Sequence, residues 1–439
     1  MVGTGITPEG INQNWVVYEL MLEAPFRAAP MTDADVVEWI HGYAGRRYGL
    51  AGAAPATVPN AMATANAVWS ALRASVYGLG CAAPSATAAH TSAECPAQRE
   101  PELGFHAINR RPFPFLSATP FYDLDRLHQA WAGLVELSGT PKLPGAGTPG
   151  SPLLHDLVDV GREALAAVSD MIQHNVTAAI DRADVPAAES ALAAMYEVII
   201  DLDRLVATSP AFLLGRWLDD ATAQNGTDAD KALYQWNARQ QITGWSFHGN
   251  TTFPGTGDYA AKMWSGLLTG YYLPRWQLFG KMVIAALVSK RQLNVTAYTV
   301  AENNLTDTWT HEANRYPSEP SGSAAEVSVE LVAKYGHFLS RPVAPPTPPP
   351  SPPGPCSMAA PEGFDRHMPG GYWEAGLALR VPAASPKACA DACGDSFGRA
   401  CVGFEVNRPC STAAHCYCLN STAGPYIQNL QSFTYLRKK

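Results

Sequence analysis

One carboxylate near the start of this sequence has a setting that suits chemistry. Glu9 lies in a Gly-rich segment, residues 1–14, directly ahead of an apolar periodic stretch that begins at Trp15. Such a carboxylate either takes part in catalysis or serves as a first-turn acid that interacts with the helix dipole. The approach through Gly3 and Gly5, the constraint of Pro8 and the lack of a Lys or Arg nearby in the sequence favour the catalytic interpretation.

A second group of candidates is aromatic. Trp245 and Tyr259 stand on the two sides of a Gly-rich loop, whereas Trp264 and Trp276 fall on the repeat of a predicted helix. Aromatic residues at helix ends usually pack in cores, but their flat faces also line ligand sites. The position at the rim of one loop favours Trp245 and Tyr259 as the ligand-binding pair.

Signatures of several other enzyme classes do not occur in the sequence. It has no His-Glu-x-x-His motif and no phosphate-binding P-loop, and its 11 histidines lack metal-ligand spacing. Cys389 and Cys393, with Cys416 and Cys418, could bind zinc, but no histidine pair completes the site. We therefore predict no metal and no other cofactor.

Composition limits the partners and suggests a compartment. The net charge of -8 argues against nucleic acid, and the longest apolar run, residues 282–288, is too short to span a membrane. Seven of the nine cysteines lie within 356–418, and six Asn-x-Thr sequons are present. Both features are typical of the secretory pathway. Residues 1–30 do not read as a signal peptide, so we expect the chain to be the C-terminal part of a longer protein.

Prolines divide the chain in two. Residues 341–355 form a proline-rich linker that cannot join a helix or a central strand. Before it, three- and four-residue apolar spacing predicts helices over 61–77, 123–137, 153–183, 187–208, 228–243, 259–289 and 324–339. Asp123 and Asp228 suit N-caps or first-turn acids, and Pro186 suits a first turn. Cys81 and Cys95 either form a disulfide, the favoured interpretation, or remain free thiols.

The segment after the linker, residues 356–439, is small and rich in cysteine. Ser385 and Pro386 suit the start of a helix that would place Cys389 and Cys393 on one face. Strand-like runs follow at 401–406 and 433–436. A module of this size needs covalent bridges to hold its core.

Several segments together resemble glycoside hydrolase family 89, the alpha-N-acetylglucosaminidases. The resemblance is collinear over about residues 1–340, and its most specific parts are 2–22, 46–49, 212–217, 258–262, 271–276 and 315–318. It implies a mainly α fold in which residues 1–22 end a TIM-like catalytic barrel and 23–340 form an all-helical domain.

The resemblance also implies an activity. Family members are retaining exo-glycosidases that remove terminal alpha-linked N-acetylglucosamine, which would make Glu9 the nucleophile. Trp245 and Tyr259 match positions that supply aromatic walls to the sugar pocket. The acid/base Glu of the family, in an Asn-Glu-Met setting, has no counterpart in this sequence, so we expect the chain to be inactive alone. A non-catalytic secreted protein that binds glycans or other proteins is the alternative.

The tail resembles PAN/apple modules, with a WSC-like module as the alternative. The resemblance implies a Cys393–Cys401 bridge, and a second bridge from Cys389 to Cys416 or Cys418. A glycan or protein ligand would follow, and a purely stabilising module is an equal alternative. Together with the sequons, this predicts an extracellular, lysosomal or vacuolar glycoprotein.

Overall fold

The computed structural model separates the chain into two units, Met1–Arg341 and Pro342–Lys439, which are considered individually. In the first unit the structure describes residues 5–7, 14–50, 59–78, 106–112, 122–140, 143, 148, 150–245 and 257–340. In the second it describes the backbone of the strands.

The first unit is built from helices, as predicted. Over the described residues the helices are α1 (Trp15–Glu23), α2 (Asp33–Arg47), α3 (Pro59–Ala74), α4 (Leu124–Ser138), α5 (Pro152–Asp181), α6 (Val185–Val206), α7 (Leu214–Thr222), α8 (Asp228–Gln241), α9 (Leu273–Val288), α10 (Val295–His311) and α11 (Ala324–Leu339). Short 3-10 turns lie at Ala24–Phe26 and Ala107–Asn109.

Side-chain caps fix where many of these helices begin. Asp123 accepts a hydrogen bond from the Arg126 N–H at 3.1 Å, which confirms it as the N-cap of α4. Asp228 is a first-turn acid of α8. The N-cap of that helix is Thr227, which forms a capping box with Asp230. Pro186 lies in the first turn of α6. The acids and the capping box satisfy N–H groups or stabilise the helix dipole, while Pro186 has no N–H to leave unpaired in the first turn.

The core forms around the longest helix, α5, which packs against α4, α6 and α11. Leu157, Leu165 and Leu202 are fully buried there, as is Trp131 of α4. Their apolar spacing along each helix is the pattern that burial against neighbouring helices requires. No described helix has both the length and the apolar character needed to cross a bilayer.

The predicted helix 259–289 is wrong over its first part. Helix α9 starts only at Leu273, after a π-helical turn at Leu268–Tyr272. Asp258 and Ala261 have φ values of 60° and 46°, which interrupt a right-handed helix.

Two aromatic placements depend on this correction. Trp264 lies in the irregular segment, residues 257–266, and packs on Trp217 with ring centroids 5.8 Å apart. Trp276 lies in α9 as predicted, where it is buried.

The second unit is described as two antiparallel sheets. The strands are β1 (Phe364–Pro369), β2 (Tyr372–Trp373), β3 (Leu377–Pro382), β4 (Gly403–Asn407), β5 (His415–Leu419), β6 (Tyr426–Ile427) and β7 (Ser432–Arg437). The larger sheet has the strand order β1-β7-β4-β5-β3, and β2 pairs with β6 in the smaller one.

The predicted strands at 401–406 and 433–436 correspond to β4 and β7. The predicted helix at 385 and the Cys81–Cys95 bridge fall outside the described residues.

The close approach of α7 to the segment after α10 gives a first prediction. A Cβ at Gly215 would lie 2.6 Å from the carbonyl carbon of Pro317 and closer still to its oxygen. We expect Gly215→Ala to lower the free energy of unfolding by about 1–3 kcal/mol, because backbone cannot move aside cheaply. Denaturant titration measures the change. The control is Gly139→Ala, where the nearest atom is 3.6 Å away, and equal stability of the two variants would contradict the packing argument.

Candidate functional site

The structure brings the two predicted aromatic residues together. The rings of Trp245 and Tyr259 lie 6.0 Å apart between centroids, inclined at 60° in an edge-to-face arrangement. Trp245 keeps 42% of its surface exposed, and Tyr259 is half-buried. Such a pair presents apolar ring surface with polar tips to solvent, which suits contact with a ligand that has both apolar and polar faces. Glu9, the third predicted residue, lies outside the described residues.

Asp258 fixes the point at which the chain returns beside Trp245. Its N–H donates to the carbonyl of Thr243 at 2.7 Å, and its own carbonyl accepts from the N–H of Ala261 at 2.9 Å. Thr243 stands two residues before Trp245, and Asp258 directly precedes Tyr259. One backbone hydrogen bond therefore sets the separation of the two aromatic residues.

The carboxylate of Asp258 is held by a buried arginine. Both of its oxygens accept from Arg275, each at 2.7 Å, and the Arg275 side chain is fully buried. Arg275 Nε also lies 3.0 Å from Oε1 of Glu302, in an ion contact that lacks hydrogen-bond alignment. Burial opposes the charged form, but Asp258, Tyr271 and Glu302 outweigh it and raise the pKa of Arg275 above its ordinary value. The guanidinium also lies over the ring of Tyr271, 4.9 Å from its centroid.

A short segment, residues 106–112, supports the same region from the other side, and we call it the strap. Arg111 pairs with Glu302 and donates to the side-chain oxygen of Asn303. Asn109 donates its amide to the carbonyl of Ala261 at 3.1 Å. The strap therefore contacts both the irregular segment that carries Tyr259 and the helix that carries Glu302.

The strap is itself anchored in the helical core by His106. Its Nδ1 lies 2.7 Å from Asp170 and its Nε2 3.2 Å from Glu163, which also accepts from Tyr122 at 2.6 Å. Burial alone would lower the pKa of His106, but Asp170 and Glu163 outweigh it and raise that pKa to about 10. Burial likewise opposes ionisation of Glu163, yet His106 and Tyr122 lower its pKa to about 2.

Tyr316 packs beneath the π-helical turn. Cβ atoms at Gly266 and Gly270 would lie 2.7 and 2.8 Å from its ring and hydroxyl, so only glycine allows this approach. Asp203 of α6 accepts from the Gly266 N–H at 2.8 Å and from the Thr269 hydroxyl at 3.2 Å. These contacts fix the start of the helical turn that leads to Arg275.

These contacts define what the described residues can do chemically. They present a partly exposed aromatic surface on a rigid support, which can pack against the apolar face of a ligand. The carboxylates of Asp258 and Glu302 both pair with the buried Arg275, which leaves them unsuited to proton transfer or nucleophilic attack. Among the residues that the structure describes, no cluster of His, Cys, Asp or Glu could hold a metal ion.

The sequence predicted the aromatic pair but missed Asp258, Arg275 and Glu302 as a connected set. The available signal was a charge inside an apolar window, since Arg275 interrupts a run of aromatic and aliphatic residues. A charged residue in such a run must find a partner when it is buried. The identity of that partner does not follow from the sequence.

The charge state of His106 gives a second prediction. Its pKa is raised from 6.5 to about 10, so its stabilisation is complete below about pH 6.5 and is lost as the pH rises through 10. We expect His106→Gln to cost about 1–3 kcal/mol of unfolding free energy at pH 6, with the cost shrinking toward pH 10. Denaturant titrations over that range test this, with the exposed His41→Gln as the control. A cost that is independent of pH would contradict the charged state of His106.

Comparison with known proteins places this chain in a family. The family model described as the alpha-N-acetylglucosaminidase (NAGLU) C-terminal domain matches residues 39–334. Human alpha-N-acetylglucosaminidase is 31% identical over 338 residues, which are 76% of this chain and 40% of the human protein.

Solved structures share the fold. A Clostridium perfringens family 89 glycoside hydrolase, solved in complex with its substrate GlcNAc-alpha-1,4-galactose, matches with a TM-score of 0.61 and 21% identity, covering 76% of this chain and 35% of that one. The Clostridium perfringens family 89 enzyme in complex with PUGNAc matches with a TM-score of 0.60 and 22% identity over the same shares. The chain thus spans well under half the length of these relatives. Because the family model covers more than half of its residues, the protein belongs to the alpha-N-acetylglucosaminidase C-terminal domain family.

Proposed function

We propose that this chain supplies the helical part of a retaining exo-glycosidase that removes terminal alpha-linked N-acetylglucosamine. The observation that carries the proposal is the contact between Trp245 and Tyr259, which match the family's aromatic wall positions. The Clostridium perfringens relative was solved with a substrate that contains N-acetylglucosamine. In this chain the two rings would pack against the sugar and orient it toward the reacting bond.

Glu9 is the proposed nucleophile. Its place in the 2–22 segment of the resemblance supports this role. Its carboxylate would attack the anomeric carbon, and water activated by a second carboxylate would release the sugar with retained configuration. Retaining glycosidases hold the two carboxyl groups about 5–5.5 Å apart.

The second carboxylate is the reason to expect no turnover by a polypeptide of this sequence alone. The Asn-Glu-Met motif that carries the family's acid/base residue does not occur in it. Asp258 and Glu302, the acids behind the aromatic pair, both pair with the buried Arg275. Removal of one of two cooperating catalytic groups commonly costs several orders of magnitude in rate.

The tail is proposed to be a PAN/apple-like module that binds a glycan or a protein. The antiparallel sheet built from β1, β7, β4, β5 and β3 supports a compact module, and Cys416 and Cys418 lie on β5. Cys389, Cys393 and Cys401 fall outside the described residues. The six sequons and the cysteine content support a glycoprotein of the secretory pathway, extracellular, lysosomal or vacuolar.

An assay with an aryl alpha-N-acetylglucosaminide tests the catalytic proposal. We expect the 439-residue chain to show no hydrolysis above the buffer rate, because one of the two required carboxylates is missing. In a longer polypeptide that joins this sequence to the family's acid/base segment, Glu9→Ala should lower kcat at least about 1,000-fold. The matched control is Glu38→Ala, which removes an exposed carboxylate of α2.

Two outcomes would contradict this proposal. Hydrolysis by the isolated chain would show that the second carboxylate lies elsewhere in it. Full activity of Glu9→Ala in the longer polypeptide would remove Glu9 from catalysis. Specific binding of N-acetylglucosamine without hydrolysis in the longer polypeptide would instead select the non-catalytic binding protein.

A further inference from the structure

We infer that Arg275 is a positioning residue for the aromatic pair: its buried fork holds Asp258 in place and thereby sets Tyr259 against Trp245. The inference rests on the proposed function only where it concerns sugar binding. The geometric part stands on the contacts of Asp258 and Arg275 alone.

The first step is the backbone of Asp258. Its φ of 60° is a left-handed conformation, which costs an L-residue roughly 1–2 kcal/mol and is tolerated best by Gly, Asn and Asp. The conformation persists because the N–H, the carbonyl and both carboxylate oxygens of Asp258 are all bonded. Tyr259 is the next residue, so a rotation at Asp258 would move its ring directly.

The second step is the burial of the partner. Arg275 has no exposed side-chain surface, and a buried guanidinium without a carboxylate is costly. Any displacement of Asp258 would break both hydrogen bonds that neutralise Arg275. The hydrogen bond from the Asp258 N–H to Thr243 is therefore coupled to the ion pair between Asp258 and the buried Arg275.

The third step is the continuation of the charges. Glu302 of α10 lies against Arg275 on one side and Arg111 of the strap on the other. Asp258, Arg275, Glu302 and Arg111 thus alternate in sign across the irregular segment, α9, α10 and the strap, and we call them the ionic chain. Each charge in the ionic chain lies next to a charge of opposite sign. A change at Arg275 therefore weakens its ion pair with Asp258, the residue that precedes Tyr259.

Sugar binding by the aromatic pair would require the two rings to be held at a precise separation and tilt. Edge-to-face aromatic pairs depend on ring separation and tilt, and binding sites tolerate displacements of only about 0.5 Å in their supporting shell. Arg275 does not touch the exposed surface, so its effect on a sugar would act through Tyr259. The same reasoning predicts that lysine, which cannot form the bidentate fork, does not replace it.

Fluorine NMR of the full 439-residue chain labelled with fluorotryptophan tests the inference. Trp245→Phe identifies the Trp245 signal among those of the 11 tryptophans, and Tyr259→Ala gives the shift expected when the second ring is lost. We expect Arg275→Lys to move or broaden the Trp245 signal by an amount comparable to Tyr259→Ala. Asp258→Asn keeps a residue that accepts the left-handed conformation, and should produce a smaller change in the same direction.

Arg47→Lys is the matched control. Arg47 forms an equivalent fork on Asp156, with two bonds of 2.5 Å, between α2 and α5. Its replacement weakens a comparable ion pair, and should leave the Trp245 signal unchanged. An unchanged Trp245 signal in folded Arg275→Lys would overturn the inference. If Arg275→Lys does not fold, the signal in Asp258→Asn decides, and a wild-type signal there overturns it.

Addition of N-acetylglucosamine to the same samples separates the inference from the proposed function. We expect the sugar to shift the Trp245 signal of the wild-type chain, and Arg275→Lys to weaken that binding roughly tenfold. A wild-type Trp245 signal that does not respond to the sugar would count against sugar binding by this pair. It would leave the positioning role of Arg275 to be judged by the ligand-free spectra.

Discussion

The site depends on one fully buried guanidinium. Asp258 and Glu302 offset the cost of burying the charged Arg275, and those two acids belong to different parts of the chain. Arg275 thus ties the irregular segment before α9 to the helix α10. Trp245 and Tyr259 owe their contact to this tie, since Asp258 also bonds the backbone beside Trp245. The buried ion pair between Arg275 and Asp258 thus holds the two aromatic rings in contact.

The rest of the domain keeps that arrangement rigid. Helices α5 and α6 provide the apolar core. Each also contributes an acid that bonds a neighbouring segment: Asp170 bonds His106 of the strap, and Asp203 accepts from Thr269 of the π-helical turn. Tyr316 then packs against Gly266, just before that turn, and against Gly270 within it. The segments that carry the family resemblance at 212–217, 258–262, 271–276 and 315–318 all take part in these contacts. They support the exposed ring of Trp245 and the half-buried ring of Tyr259.

Helices α4, α5, α6 and α11, which carry an apolar stripe, were predictable from the sequence, whereas α10, whose buried face is polar, was not. Helices α4, α5, α6 and α11 follow the apolar period and appear close to their expected bounds. Helix α10 was missed because its inward face carries Glu302, Asn303 and Thr306, which read as polar in the sequence yet are buried. The helix expected from 259 failed because the left-handed residues there are stabilised by tertiary partners, which local periodicity does not reveal. The contact between Trp245 and Tyr259 could be anticipated because the two residues flank one loop, while their role as a ligand site stays a prediction.

Amide hydrogen exchange of the segment 257–262 tests most directly whether the buried ion pair holds the aromatic site. The account predicts that Arg275→Lys accelerates exchange in 257–262, where the Asp258 and Ala261 N–H groups are bonded, while peptides from α5 exchange as in the wild type. Unchanged exchange in 257–262, or an equal acceleration throughout the domain, would contradict it. The first result would show that the segment is held without Arg275, and the second that Arg275 supports the fold as a whole.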